Sequence, residues 1–480
     1  MAYSFKIELN LNQHTKDECV LKDILAKTID HGRSLDAEYV EVRAQSLFKT
    51  LLTTKDGTVE GAKEGTENGA GVRALVNGAW GFVSLGKLEP KLLTKAVDEA
   101  VKLAKAASLH VKSPVKLAEV KAVQDKVVAN SRKNPRDVSM EQKIENVLAM
   151  DKTAFGCDSR IRSCTINYLD VTGKSYFVNS DGSYIEQDKL YVWSRILASA
   201  KQDSIFASAR EEIGSTAGYE VFDTETPEKV GTMVAKRAVE QLKAKTPKGG
   251  TFPAVIGPNV VGVFIHEAMG HLAEADLTLS GSVLYDKLGK QIASDVVTVY
   301  DDGTVEGAFG SFKYDDEGVR TQKTALIEKG TLTGLMHSRE TAQKLDMQPT
   351  GNARAEDFRV EPIIRMRNTY LEAGDSSFEE LIEDVDFGYY LKSFRGGQAN
   401  LDGTFQVGIQ EAYEIVKGKL GDAVRSASIS GNTLETLRKV DAVGKDFELW
   451  SGRCGKGQTA FICDGGPHIR VGEVTIGGGA

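Results

Sequence analysis

The chain has 480 residues, 41% of them hydrophobic, so it can bury a large core and is too long for one typical domain. Its 60 basic and 68 acidic residues give a net charge of −8 without a long cationic run, which argues against nucleic-acid binding. Neither a signal-like N-terminus nor a long apolar run is present, so we predict neither secretion nor a membrane span. The five cysteines include no repeated CxxC pair, which favours a reduced, cytoplasmic compartment.

The first hundred residues alternate helical and strand-like patterns. A capping box at Thr15 and Glu18 predicts an amphipathic helix that ends at Gly32. Strand-like runs follow at 39–44, 47–54, 71–76 and 79–85, with turn sequences at 56–57 and 77–78. Pro90 begins a second helix with one apolar face. We therefore predict helices covering one side of an antiparallel sheet.

The middle of the chain predicts a surface segment and then more mixed structure. Residues 110–136 lose their periodicity, a helix is predicted at 140–152, and strands are predicted between about 160 and 200. Another helix begins at Pro227 and ends at residues 246–250 (TPKGG). We place a domain boundary there, which gives an N-terminal α/β domain at 1–247 and a C-terminal domain at 248–480.

Glycine turns separate the strand-like runs of the second domain, for example at Gly303, Gly330, Gly403 and Gly418. Short helices are predicted near 338–345 and 378–384, and no fixed repeat period is present. The fold class is therefore α+β, with a β-rich C-terminal domain of antiparallel strands.

Residues 258–276 (PNVVGVFIHEAMGHLAEAD) predict a buried helix, because an apolar run follows Pro258. His266 and His271 are five residues apart and lie roughly 140° apart around an ideal helix. One tetrahedral ion could bind both only if the helix widens into a π-type turn, which is least costly at Gly270. The alternative is a buried helix whose histidines are only hydrogen-bonded. Glu267, beside the first histidine, is a candidate base.

Two histidines do not complete a metal site. Cys454 lies in a glycine-flanked turn, 451–457 (SGRCGKG), which could present a thiolate to an ion, although such a cysteine is commonly only a loop residue. Glu274, His337 and His468 are further candidates, of which Glu274 suits a role behind the ligands better than ligation itself.

Other polar residues suggest substrate contacts. Arg354 and Arg395 could pair with a substrate carboxylate, and Gly396 and Gly397 would let a peptide backbone approach, although arginine in glycine-rich loops is more often structural. The acidic run at 315–317 lacks the alternation of a calcium loop and predicts an acidic turn.

The sequences HEAMGH (266–271) and SGRCGKGQ (451–458) together resemble the TldD/PmbA family, also described as modulators of DNA gyrase. The similarity extends through YDDEG (314–318), GNAR (351–354) and the glycine pair at 396–397. Family members with HExxxH are zinc metallopeptidases, and the chain resembles this TldD type. The resemblance implies that His266, His271 and Cys454 bind Zn²⁺ and that Glu267 activates zinc-bound water.

The resemblance also implies a barrel-like C-terminal domain and a dimer that encloses the active site. The dimer would form with a second copy or with a metal-less PmbA-type paralogue. We expect a cytoplasmic zinc metallopeptidase that hydrolyses small or unfolded peptides. The alternatives are a non-catalytic binding or regulatory protein with a structural zinc, and a zinc hydrolase of a non-peptide amide.

Overall fold

The computed structural model describes residues 11–478, with side chains described from residue 21 onward. In the N-terminal half the described helices are α1 (Leu11–Arg33), α2 (Pro90–Ser108), α3 (Met140–Cys157), α4 (Val221–Thr224) and α5 (Pro227–Lys243). The strands are β1 (Tyr39–Lys55), β2 (Thr58–Val76), β3 (Ala79–Leu85), β4 (Gln124–Val127), β5 (Ile161–Asn179), β6 (Tyr184–Gln202) and β7 (Ile205–Ser215). They form one sheet in the order β3-β2-β1-β5-β6-β4, with β7 paired to β6.

The helices cover one face of this sheet, as predicted, because the apolar residues of β1 alternate with polar ones. Val40 and Val42 belong to the core beneath α1 and α2. Leu52, on the same face further along the strand, belongs to the core beneath α3 and α5. Residues of the opposite parity, such as Arg43 and Lys49, line a cavity on the other face.

Three strand predictions need correction. The runs at 39–44 and 47–54 form the single strand β1, and β2 begins at Thr58 although no strand was predicted before residue 71. The first half of β2 is largely exposed and rich in glycine and glutamate, so its sequence lacks apolar alternation and only pairing with β1 defines it. β7 was not predicted separately. The capping prediction at Thr15 and Glu18 concerns side chains outside the described residues.

The C-terminal half is β-rich, as predicted. Its described strands are β8 (Gly250–Ile256), β9 (Val299–Asp302), β10 (Lys323–Glu328), β11 (Thr331–Leu332), β12 (Ala353–Arg354), β13 (Ile363–Ile364), β14 (Asn368–Leu371), β15 (Phe387–Ala399), β16 (Thr404–Val416), β17 (Lys419–Val424), β18 (Ala427–Asn432), β19 (Val440–Val443), β20 (Glu448–Gly455), β21 (Thr459–Gly466) and β22 (Ile469–Gly478). The helices are α6 (Pro258–Ile265), α7 (Ala275–Leu279), α8 (Arg339–Leu345), α9 (Phe378–Ile382) and α10 (Thr433–Arg438).

Five of these strands close a barrel, because β8, β15, β16, β18 and β22 pair in a ring. A second sheet has the order β11-β10-β9-β14-β21-β20. α6 is wholly buried and contacts strands of both, including β15 of the barrel and β21 of the second sheet. The barrel-like prediction is confirmed, and this packing brings the C-terminal end of α6 close to β20.

The predicted division at residues 247/248 lies between α5 and β8, in a segment without regular structure, and stays a prediction. None of the described helices is long and apolar enough to cross a membrane.

Candidate metal centre

The two histidines lie on a helix that widens where they occur. α6 continues into a π-helical turn at His266–Gly270 and then a 3₁₀ turn at His271–Ala273. The wide turn brings the two imidazole ring centroids to 4.9 Å. A Cβ on Gly270 would lie 2.0 Å from Met366 Sδ, so any larger residue there would force the Met366 side chain to move. The predicted π-type turn is confirmed.

Cys454 meets the histidines from a distant part of the chain. It lies on β20, and its Sγ is 3.0 Å from His266 Nε2 and 3.2 Å from His271 Nε2. One ligand atom from each of these three residues lies within 4.8 Å of the others, and this is the one such cluster found among the described residues. The structure therefore brings together the three residues that the resemblance implied as metal ligands.

The orientation of His271 is set by Glu274. The His271 Nδ1 lies 2.9 Å from Glu274 Oε2, and this contact turns the ring so that Nε2 faces Cys454. Glu274 is fully buried and also approaches two cations, with its Oε2 3.2 Å from Lys456 Nζ and its Oε1 3.8 Å from Arg365 Nε. Glu274 therefore contacts the ring nitrogen of His271 that points away from Cys454, which is the supporting role that the sequence favoured.

Sequence reasoning missed three residues around this cluster. Asp464 Oδ2 lies 4.0 Å from His266 Nδ1, a buried nitrogen without a hydrogen bond. Arg365 Nη2 donates to the Cys454 carbonyl at 2.9 Å and so ties the cysteine strand to the surroundings of Glu274. Lys456 is the third. Lys456 lies within the motif at 451–458, which could have marked it, whereas nothing in the local sequence marked Asp464 or Arg365, because their importance arises from packing between distant segments.

The cluster favours a thiolate. Burial opposes ionisation of Cys454, but the two neighbouring imidazoles lower the pKa of its thiol to about 4. Burial would lower the pKa of His271, yet Cys454 and Glu274 raise it to about 10. Burial also raises the pKa of Asp464 to about 7, with His266 opposing this rise. The site thus holds negative charge on sulfur beside two imidazoles.

This donor set fits a transition-metal ion, because two imidazole nitrogens and one thiolate converge on one point. All three residues line a cavity of about 670 Å³. Glu267 lines the same cavity and forms no hydrogen bond or ion pair among the described residues. A Cβ on Gly397 would lie 3.0 Å from Glu267 Cγ, so the glycine leaves room for this carboxylate.

The predicted substrate residues divide into two groups. Gly396 and Gly397 line the metal cavity, whereas Arg354 and Arg395 do not. Arg354 donates to the backbone carbonyl of Phe461 at 2.7 Å, and Arg395 donates to the Gln241 side chain at 3.0 Å. A substrate role for these residues stays a prediction.

The remaining candidate ligands lie outside the cluster. His337 Nδ1 is 3.1 Å from Thr341 Oγ1, and His468 Nδ1 is 2.6 Å from Asp446 Oδ2. In the acidic run, Asp315 accepts hydrogen bonds from backbone N–H groups, including that of Val319 at 2.8 Å. The run therefore forms the acidic turn that was predicted.

Comparisons with known proteins agree with this geometry. Sequence models of three PmbA/TldA metallopeptidase domains match the chain. They are domain 1 at residues 40–108, the central domain at 133–245 and the C-terminal domain at 249–478. A protein named metalloprotease from Methanothermobacter thermautotrophicus is 42% identical over 444 residues, covering 92% of this chain and 96% of its own. A zinc metalloprotease TldD homolog from Saccharolobus solfataricus is 34% identical over 461 residues, covering 94% and 99%.

Solved structures share the fold. The crystal structure of a putative modulator of a DNA gyrase from Thermotoga maritima aligns with a TM-score of 0.78 at 20% identity, covering 95% of this chain and all of that one. TldE from Thermococcus kodakarensis aligns with a TM-score of 0.75, also at 20% identity, with the same coverage. Fold, site and relatives together are those of a metallopeptidase. The chain belongs to the PmbA/TldD metallopeptidase family.

Proposed function

We propose that this protein is a zinc-dependent peptidase that hydrolyses small or unfolded peptides. The observation that carries the proposal is the free carboxylate of Glu267, which faces the same cavity as His266, His271 and Cys454. Catalytic zinc centres use three protein ligands, whereas structural centres use four, and the described residues supply three. The name of the Saccharolobus relative supports zinc as the metal.

Each group has a separate chemical role. When bound, zinc supplies a Lewis acid that polarises the scissile carbonyl and acidifies water. Glu267 accepts the proton of the attacking water and returns it to the leaving amine. Gly396 and Gly397, without side chains, leave space in the cavity for a peptide backbone.

A digestion assay with two variants tests this mechanism. Glu267→Ala should keep its zinc but lose about 10² to 10⁴-fold in turnover of unstructured peptides, because a positioned acid–base group contributes that much. Cys454→Ser should lose zinc, because a hydroxyl is a much poorer ligand than a thiolate. Glu383→Ala, at an exposed position, is the control. Near wild-type turnover by zinc-loaded Glu267→Ala would refute the mechanism.

We further propose a dimer, either of two copies or with a metal-less PmbA-type partner, that encloses the cavity and restricts access to flexible chains. Light scattering at assay concentrations should find the active species to be dimeric. Unstructured peptides should be cut while a stable folded domain of similar composition survives. An active monomer, or rapid digestion of the folded domain, would contradict restricted access.

A further inference from the structure

A second cavity, of about 340 Å³, lies between the N-terminal sheet and the C-terminal half. One wall is the face of β1, β5 and β6, and the other includes residues 354–358 and the hairpin formed by β20 and β21. His266, His271 and Cys454 do not line it, whereas Arg453 lines both cavities. We call it the cationic cavity; the hairpin that carries Cys454 separates it from the metal cavity.

Positive charge in the cationic cavity is poorly compensated. Five of its lining side chains form no ion pair among the described residues: Arg43, Lys189, Arg354, Arg367 and Arg453. Three of them donate to backbone carbonyls instead, Arg43 to Val360, Arg354 to Phe461 and Arg367 to Gly351. Because a carbonyl carries no net charge, these contacts satisfy the donors without neutralising the cations.

Seven basic side chains line this cavity against four carboxylates, so positive charge remains in excess although Asp316 attracts several of the cations. Each carboxylate also accepts a hydrogen bond from a backbone N–H group. They accept as follows: Asp315 from the Ala353 N–H at 3.1 Å, Asp316 from the Ala355 N–H at 2.8 Å, Glu356 from the Thr459 N–H at 2.8 Å, and Asp357 from the Arg359 N–H at 2.7 Å. Burial and the neighbouring Glu317 raise the pKa of Asp315 well above its ordinary value.

Lys189 is the cation best placed to bind a ligand. In the described part of the chain its ammonium has no hydrogen-bond partner, and it lies 4.3 Å from the ring centroid of Phe312. Burial lowers the pKa of Lys189 to about 8, with Asp316 opposing and Arg367 reinforcing the shift. An anion brought to this position would stabilise the charged amine.

Aromatic rings form the surface beside Lys189. The Tyr191 ring centroid lies 5.4 Å from that of Phe312 and 5.0 Å from that of Phe461. Arg453 lies over the Phe461 ring at 5.8 Å. A flat apolar body would find stacking and edge contacts here, next to a free ammonium.

We propose that the cationic cavity binds a small aromatic carboxylate. Lys189 pairs with the carboxylate, and Tyr191, Phe312 and Phe461 contact the ring. A free aromatic acid and a short peptide with a C-terminal aromatic residue present this same chemistry. The site is independent of the peptidase activity, because none of the proposed metal ligands takes part.

Calorimetric titration of the full-length protein tests the site. N-acetylphenylalanine should bind saturably with a Kd below about 1 mM, the range open to a ligand of this size. Its uncharged amide should bind at least about tenfold more weakly, because a charge-assisted contact is lost. A tripeptide ending in phenylalanine, titrated in parallel, distinguishes a peptide C-terminus from a free acid as the source.

Variants locate the binding. Lys189→Gln should weaken binding of N-acetylphenylalanine by about tenfold or more and should change the affinity for its amide little. Arg453→Gln removes a second cation of the cavity at an exposed position. It should weaken binding of the acid several-fold and serves if Lys189→Gln folds poorly. Lys201→Gln is the matched control, since Lys201 also lies over a ring, that of Phe206, but outside the cavity. His266→Ala should leave the affinity unchanged.

Four results would overturn the proposal. They are the absence of saturable binding, equal affinity for acid and amide, unchanged affinity in both Lys189→Gln and Arg453→Gln, and loss of binding in His266→Ala, which would place the ligand on the metal. Inorganic phosphate that binds as tightly as the aromatic acid would reject the aromatic ligand class.

Discussion

Glu274 is a buried carboxylate whose single charge serves several neighbours. It accepts a hydrogen bond from His271 Nδ1 at 2.9 Å and lies 3.2 Å from Lys456 Nζ and 3.8 Å from Arg365 Nε. Arg365 in turn binds the Cys454 carbonyl. Glu274 therefore connects the histidine side of the site to the cysteine side.

Removing this charge should weaken metal binding while leaving all three ligands present. We expect Glu274→Gln to lower zinc affinity about 10 to 100-fold, the usual effect of changing a residue that orients a metal-binding histidine. Competition with a chromophoric chelator measures it. Asp276→Asn is the matched control, because Asp276 also pairs with Lys456, at 2.8 Å, but has no contact with His271. Equal effects of both variants would contradict a specific role for Glu274.

His337 should make stability depend on pH. Burial lowers its pKa to about 4, so the folded protein holds it neutral where the unfolded chain would protonate it. The pKa of this histidine in the unfolded chain is about 6.5, so the full free energy of unfolding is present above that pH. The protein loses stability as the pH falls from about 6.5 toward 4, because protonation of His337 then favours the unfolded chain.

We therefore expect wild type to lose up to about 3 kcal/mol more than His337→Gln between pH 7 and pH 4. Urea unfolding at a series of pH values gives the unfolding free energy of both proteins. Subtracting one from the other at each pH removes the effect of all groups that titrate alike in the two proteins. Parallel stability curves for the two proteins over this range would show that His337 is not held neutral.

At the scale of elements, the π-helical turn determines whether two histidines can share an ion. Gly270 lies within this turn and packs against Met366, so that an added Cβ would overlap Met366 Sδ. The helix and the segment between β13 and β14 that contains Met366 are thus fitted to each other, and the spacing of His266 and His271 depends on that fit.

Gly270→Ala should destabilise the fold by about 1–3 kcal/mol, the common cost of overpacking a core, and should weaken zinc binding as the turn shifts. Thermal unfolding and the chelator competition measure the two effects. Gly65→Ala is the control, since a Cβ there meets nothing within 4 Å, and its effect should stay within about 0.5 kcal/mol. A zinc affinity unchanged by Gly270→Ala would show that the turn tolerates a side chain.

At the scale of the whole molecule, Arg237 joins the two halves. This buried arginine of α5 donates to Glu211 of β7 at 2.9 Å and to Glu411 of the barrel strand β16 at 3.1 Å. Gln410, beside Glu411, also accepts from the Arg210 backbone N–H at 3.0 Å. Because β7 lines the metal cavity through Arg210 and Glu212, this junction also shapes the site.

Arg237→Met should cost about 3–5 kcal/mol of unfolding free energy, because it leaves the buried Glu211 without its cation, whereas Glu411 keeps Lys392 at 2.6 Å. Adding Glu211→Gln should recover part of the loss. Urea unfolding followed by tryptophan fluorescence measures both variants. Arg470→Met removes a more exposed pair with Asp441 and should cost less than about 1 kcal/mol. Similar losses from Arg237→Met and Arg470→Met would mean that the junction contributes little.

Local patterns in the sequence determined much of this protein. Helical periodicity predicted α2, α3 and α5, and glycine turns predicted a β-rich second half. The five-residue histidine spacing with Gly270 predicted a wide helical turn if both histidines bind one ion. These features depend on dihedral preferences and contacts within a few residues, so they can be recognised in the sequence itself.

Only the tertiary structure decided which distant groups meet. Cys454 lies 188 residues from His266, and the flanking sequence alone left its ligand role open beside Glu274, His337 and His468. Asp464 and Arg365 carried no local signal, and Arg354 turned toward backbone carbonyls rather than the metal cavity. Such contacts arise from packing between the barrel, the second sheet and α6, whose energy depends on the whole arrangement and not on any short stretch of sequence.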